Sequence, residues 1–189
     1  MSGSGTNPLR KIGTAACALG LAMGAPPADE RRSRPAAPRA AREVDWAAAR
    51  FVLTASDRCT APTIRLVDGA AGSPGDLYRL DTTLGSARGI VYADLTGDGR
   101  DDTLLTLRCE LPGATTMTVI AAMAVDAGGA VRPLGTVFVP EVWTWQPTDL
   151  AVWHGDIALR ILDVDTGRCW TRYRRWSSPA GGFVRIDGD

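Results

Sequence analysis

From residue 51 onward the apolar residues come in short runs, and each run stops at Gly, Pro, Asp or Ser. The runs have strand length. They predict strands over 51–56, 63–67, 77–81, 89–93, 103–109, 116–125, 135–139, 149–153, 157–164, 168–176 and 183–186. The punctuation between them is turn chemistry, as in Asp68-Gly69, Gly72-Ser73-Pro74-Gly75, Ala127-Gly128-Gly129 and Thr166-Gly167. Beyond residue 50 no segment holds a 3.6-residue apolar period, and only Val44–Arg50 reads as a short helical turn. Many short strands at this spacing predict an all-β, antiparallel, sandwich or barrel-like domain. In 168–176 the alternation puts Cys169, Thr171, Tyr173 and Arg175 on one face and Trp170, Arg172, Arg174 and Trp176 on the other. The second face suggests indoles packed under aliphatic arginine stems, or an edge that meets something outside.

The first 42 residues have a different character. Residues 1–11 are polar and end in Arg10-Lys11, residues 12–25 are small and apolar, and Pro26-Pro27 follow. A basic start, a short apolar stretch and a small-residue exit are the layout of a secretory signal peptide, so residues 1–25 are expected to be an export signal. Thr14-Ala15-Ala16-Cys17 has the look of a lipid-attachment site. Yet only five residues separate Lys11 from Cys17, too few for the apolar stretch such a site requires. Residues 26–42 carry four Pro and five Arg against Asp29 and Glu30. They hold little to bury and read as a disordered linker. The single domain is then expected over 43–189.

Charge narrows the partners. The whole chain has 21 basic and 21 acidic residues, but 43–189 carries 14 Arg against 19 acids. A net −5 argues against a nucleic-acid partner. No uninterrupted apolar run is long enough to span a bilayer. Lys11 is the only lysine, so a mature chain lacks both a Schiff-base lysine and a phosphate-loop lysine. An exported chain meets oxidising conditions. Cys59 precedes a Thr-Ala-Pro loop and Cys109 ends a strand, so these two are expected to pair, leaving Cys169 as a free, mostly buried thiol. A bridge closing a loop of that size stabilises by roughly 4 kcal/mol in the chain-entropy account.

The most informative stretch is Asp94-Leu95-Thr96-Gly97-Asp98-Gly99-Arg100-Asp101-Asp102. Oxygen side chains fall at positions 1, 3, 5 and 9 of the loop, and Gly99 at position 6 permits a sharp bend. A hard cation such as calcium takes six to eight oxygens at ~2.3–2.6 Å, and alternate side chains on a curling loop can converge on it. Position 12 is Leu105, not Glu, and the flanks are strands, so the loop is not an EF-hand. Asp and Gly also favour a bare turn on their own account.

The stretch YADLTGDGRDDTLLTL resembles the calcium-binding hairpin of FG-GAP and VCBS-type repeats, in a single copy. That resemblance implies one structural calcium held by Asp94, Thr96, Asp98, the carbonyl of Arg100 and Asp102. A wider likeness runs through Val44-Asp45-Trp46, Cys59, the Asp-rich loop, Leu107-Arg108-Cys109 and Thr171–Trp176 with Gly182–Arg185. It resembles small, uncharacterised exported proteins of actinobacteria and implies export and a β-rich domain, but no activity.

Catalytic candidates are few. His154 is the only histidine, and Trp153-His154-Gly155-Asp156 reads as a strand end and a turn. Glu110 and Glu141 are the carboxylates a glycosidase pair would draw on, with nothing in the sequence to set their separation. Trp143 and Trp145, at i and i+2, share a face if the segment is extended; they either close one end of the core or form a platform, since paired indoles can stack on sugar rings or anchor a protein. The sequence therefore points to a secreted, monomeric, non-enzymatic binding or cell-envelope module with one structural calcium. Its partner would be a protein or a cell-wall glycan. The alternative is a secreted hydrolase using His154 or the acids.

Overall fold

The structure, a computed structural model, describes residues 40–53, 63–73, 76–81, 84, 89–111 and 115–188. The expected export signal and Cys59 lie outside them. The described residues are mostly antiparallel β with almost no helix, as the run lengths predict. Helix α1 (Ala40–Glu43) precedes a two-stranded hairpin, β1 (Arg50–Val52) with β2 (Thr63–Arg65). Strands β3 (Ala70–Ser73), β4 (Asp76–Leu80), β5 (Ile90–Ala93), β6 (Asp102–Leu111), β7 (Thr115–Val125) and β8 (Val131–Phe138) form a six-stranded sheet. Strands β9 (Trp145–Trp153), β10 (Asp156–Asp163), β11 (Cys169–Ser177) and β12 (Gly182–Arg185) form a four-stranded meander.

The centre of the six-stranded sheet is buried on both faces. Along β6 and β7, Leu105, Leu107, Val119, Ala121 and Met123 point one way, into a cluster with Trp46, Phe51, Ile64, Leu66 and Tyr78. Leu104, Ile120, Ala122 and Ala124 point the other way, against Leu150, Ile157, Leu159 and Ile161 of the meander. This explains why 116–125 reads as a continuous apolar run rather than an alternation: neither face of the strand meets water. The first cluster is closed by the N-terminal segment, whose Trp46 donates its indole N–H to the Ala41 carbonyl at 3.0 Å. The second is the filling of a two-sheet sandwich.

Strands β4 and β5 lie end to end along one side of β6. Leu77–Leu80 pair with Leu107–Glu110, and Ile90–Ala93 pair with Asp102–Leu105. The two strands meet at Thr106, which accepts from the Asp81 amide at 2.8 Å and donates to the Gly89 carbonyl at 2.8 Å. The junction is crowded. A Cβ on Gly89 would stand 1.9 Å from the Asp81 carbonyl oxygen, and its φ is +65°.

Several expectations need correction. The helical turn is at Ala40–Glu43, not Val44–Arg50. The linker boundary also moves: Ala41 is in the core, and Arg42 pairs with Asp101 at 2.5 Å. Alanines 40 and 41 read as linker because their composition matches the Pro/Ala/Arg stretch before them, and burial against a distant sheet leaves no local mark. Strand β3 fell in a segment read as turns, since Gly72 and Ser73 lack strand character. Strand β9 begins at Trp145 and carries Pro147. The meander tolerates that proline because β9 is its edge and the register slips opposite Arg160 and Ile161.

Gly89→Ala is expected to lose roughly 3 kcal/mol or more, since backbone collision adds to left-handed strain. Urea unfolding checks this; a variant as stable as the parent would mean the β4–β5 junction relaxes freely.

Candidate functional site

The Asp-rich loop joins β5 to β6 and turns at the end of the sandwich. Its carboxylates are engaged with its own backbone. Asp94 accepts from the Gly97 amide at 2.7 Å and the Gly99 amide at 2.9 Å, one on each oxygen. Asp98 accepts from the Arg100 amide at 2.9 Å. Asp102, 3% exposed, accepts from the Leu95 and Thr96 amides at 3.1 Å each through Oδ2. Burial raises the Asp102 pKa above the ordinary aspartate value, and the amide bonds only partly offset this. The Thr96 side chain lies beside that carboxylate and, like the two amides, favours its charged form. Asp101 leaves the group for Arg42, whose guanidinium also covers the Tyr92 ring at 4.9 Å. The Arg100 side chain donates to the Val125 carbonyl at 2.6 Å.

The five residues assigned to a cation therefore share one turn. Among the described residues, however, no three acidic, histidine or cysteine side chains stand close enough to hold a metal ion. The carboxylates are oriented by amides instead. The donor chemistry still suits a hard cation, since every candidate ligand is an oxygen.

The β9–β10 turn packs against this loop. His154 and Gly155 have φ of +48° and +82°, the two-residue turn that joins twisted strands. His154 stacks edge-on against Trp153 with centroids 4.7 Å apart. With Asp94, Thr96, Arg175 and Trp176 it lines a cleft of about 500 Å³. Arg175 is committed elsewhere, gripping Asp156 through two bonds of 2.5 and 2.6 Å. That grip holds the Asp156 pKa below the ordinary aspartate value. Glu110 and Glu141 are each an arginine's partner, Arg79 at 3.7 Å and Arg172 at 2.9 Å respectively. A cleft of about 700 Å³ beside α1 is rimmed by Arg42, Glu43, Asp45, Asp68 and Arg79, whose charges nearly cancel.

The tryptophans divide. The expected shared face for Trp143 and Trp145 does not form, because Trp143 belongs to the turn over 141–144 and Trp145 opens β9. Trp143 is 58% exposed. Trp145 packs on the sandwich core and meets Trp170 edge to face, with centroids 5.0 Å apart. Arg172, held by Glu141, lies 4.9 Å from the Trp145 ring centre. The β10–β11 register places Trp170, Arg172 and Arg174 opposite the inward residues Ile161, Leu159 and Ile157, as the alternation in 168–176 predicts. Burial and the neighbouring Arg172 charge lower the Arg174 pKa. Sequence reasoning overlooked that Trp170 and Arg168 meet Trp145. The signal available was the pair of consecutive turns at 154–155 and 163–168, which lays the two indole-bearing strands, β9 and β11, on either side of β10.

Cys109 and Cys169 are both disulfide-bonded, and no described cysteine is free. The expectation of a free thiol at Cys169 is therefore overturned. Cys169 opens β11, half-buried and on the outer face of the meander rather than sealed in the core.

No protein family, no curated protein and no solved structure matches this chain. No helix among the described residues is long and apolar enough to cross a membrane.

The depressed Asp156 pKa fixes a sign. The Arg175 grip contributes stability above the ordinary aspartate value, and that contribution is lost as pH falls through and below it. Asp156→Asn is expected to be slightly less stable than the parent at pH 7 and equal to it in acid. Denaturation across a pH series checks this; a gap that stays constant with pH would refute it.

Proposed function

We propose that this chain is an exported, non-enzymatic binding module of the cell envelope, with its Asp94–Asp102 hairpin braced by one calcium ion. The observation that carries the binding reading is the exposed apolar tip of the sandwich. Val142 and Trp143 are exposed side by side. Val164, also exposed, is tied to the same tip by its amide bond to the Thr144 carbonyl at 3.0 Å. An indole left in water forgoes stabilisation on the order of 2 kcal/mol. Exposed apolar groups clustered this way are a contact surface for another molecule.

Calcium would be held by Asp94, Thr96, Asp98, the Arg100 carbonyl and Asp102. Support comes from the all-oxygen donor set gathered on one turn. Binding requires Asp94 and Asp98 to share their carboxylates between amides and the ion. The ion would brace the β5–β6 connection and supply no reaction chemistry.

Trp143→Ala is expected to abolish retention on purified cell-envelope glycan while leaving the melting temperature within a degree or two, because exposed substitutions rarely move stability by more than ~0.5 kcal/mol. Undiminished retention would overturn the tip as the contact. Calcium in severalfold excess over its Kd is expected to stabilise the parent by about 1 kcal/mol relative to chelator, and Asp98→Ala to remove the difference. Superimposable melts of the parent in calcium and chelator would remove the ion from the account.

A further inference from the structure

Trp145 and Trp170 stand at 78° to one another and so form a corner. A cleft of about 270 Å³ opens on that corner, and Asp163, Thr166 and Arg168 of the β10–β11 turn complete its lining among the described residues. We propose that this corner binds a single neutral pyranose unit of a glycan. The proposal deepens the binding-module reading and rests on it, adding the ligand class and a site distinct from the Trp143 tip.

Charge selects the ligand. Arg168 lines the cleft, and Arg172 already lies over the Trp145 ring. Arg168 opposes an ammonium or guanidinium ligand, and Arg172, paired with Glu141, already takes the place of a cation over Trp145. Asp163 in the same cleft opposes a phosphate or carboxylate. What remains favourable is an uncharged molecule with one apolar face and a rim of hydroxyls. A pyranose ring presents axial C–H groups to an indole and equatorial hydroxyls to polar neighbours. Arg168 can donate to such a hydroxyl pair, and Asp163 can accept from it.

The walls are fixed before the ligand arrives. Trp145 packs on the sandwich core under Arg172, which Glu141 anchors at 2.9 Å, so the sugar stacks on Trp170 and meets Trp145 at its edge. Asp163 is held by the Asp165 amide at 3.1 Å and the Thr166 hydroxyl at 2.9 Å. Binding therefore orders few side chains. The cleft is smaller than the clefts that take drug-sized ligands, roughly 300–1,000 Å³, and suits one ring. The neighbouring Trp143 tip, joined through the Thr144–Val164 backbone bond, would meet an adjoining unit.

The test is a titration of the full chain with neutral oligomers of glucose, mannose and N-acetylglucosamine, following the six indole N–H signals by NMR. At least one oligomer is expected to shift the Trp145 and Trp170 signals saturably. Arg168→Ala is expected to weaken that binding about tenfold, the loss of one charge-assisted hydrogen bond. Asp163→Asn, which keeps an acceptor, should weaken it less. If no neutral oligomer shifts these two signals, or if Arg168→Ala leaves the affinity unchanged, the pyranose site is overturned. Choline or inorganic phosphate shifting them in place of sugar would overturn it too. Retention on envelope glycan through Trp143 with silent Trp145 and Trp170 signals would sink this site alone; loss of retention as well would sink the module reading with it.

Discussion

The structure depends on the burial of β6 and β7 from both sides. A strand covered on one face can rely on alternation to place its side chains. These two cannot, so their register must come from hydrogen-bonded pairing and from the shape of each neighbour. Leu105 opposite Ala121 and Leu104 opposite Ala122 show the solution, a large residue facing a small one on each face. The N-terminal segment then becomes part of the core. Without Trp46, Phe51 and Ile64, one side of the sheet would expose a broad apolar surface.

Much of this fold was legible in the chain. Run length and punctuation located the strands, because turn residues act locally. The alternation in 168–176 even gave the correct faces for two tryptophans and two arginines, since period-two geometry is local as well. The misses are of another kind. Strand β3 forms because Ala70–Ser73 complete a hairpin with β4, and pairing of this sort depends on the partner rather than on the residues paired. The buried Ala41 and the Thr106 junction, with Gly89 pressed on Asp81, are likewise products of distant contact.

The candidate sites were only half legible. The oxygen spacing in the Asp-rich loop was visible, but not that Asp94, Asp98 and Asp102 would accept from backbone amides of the same turn. The Trp143 and Trp145 pair illustrates the opposite failure. Two indoles separated by one residue suggest a common face, yet a turn ends between them. The aromatic neighbour of Trp145 is instead Trp170, twenty-five positions further along the chain. Residues near in sequence but on different elements, and residues far apart brought together by a hairpin, are what pattern reading cannot resolve.

Strand β9 is the open margin of the meander, with backbone groups that a passing chain could pair with. Pro147 removes one amide from that margin, and the register slip beside it breaks the even spacing of the ladder. An incoming β segment would find no continuous template there. The margin thus guards against fibre growth and strand exchange between copies of the chain at high concentration.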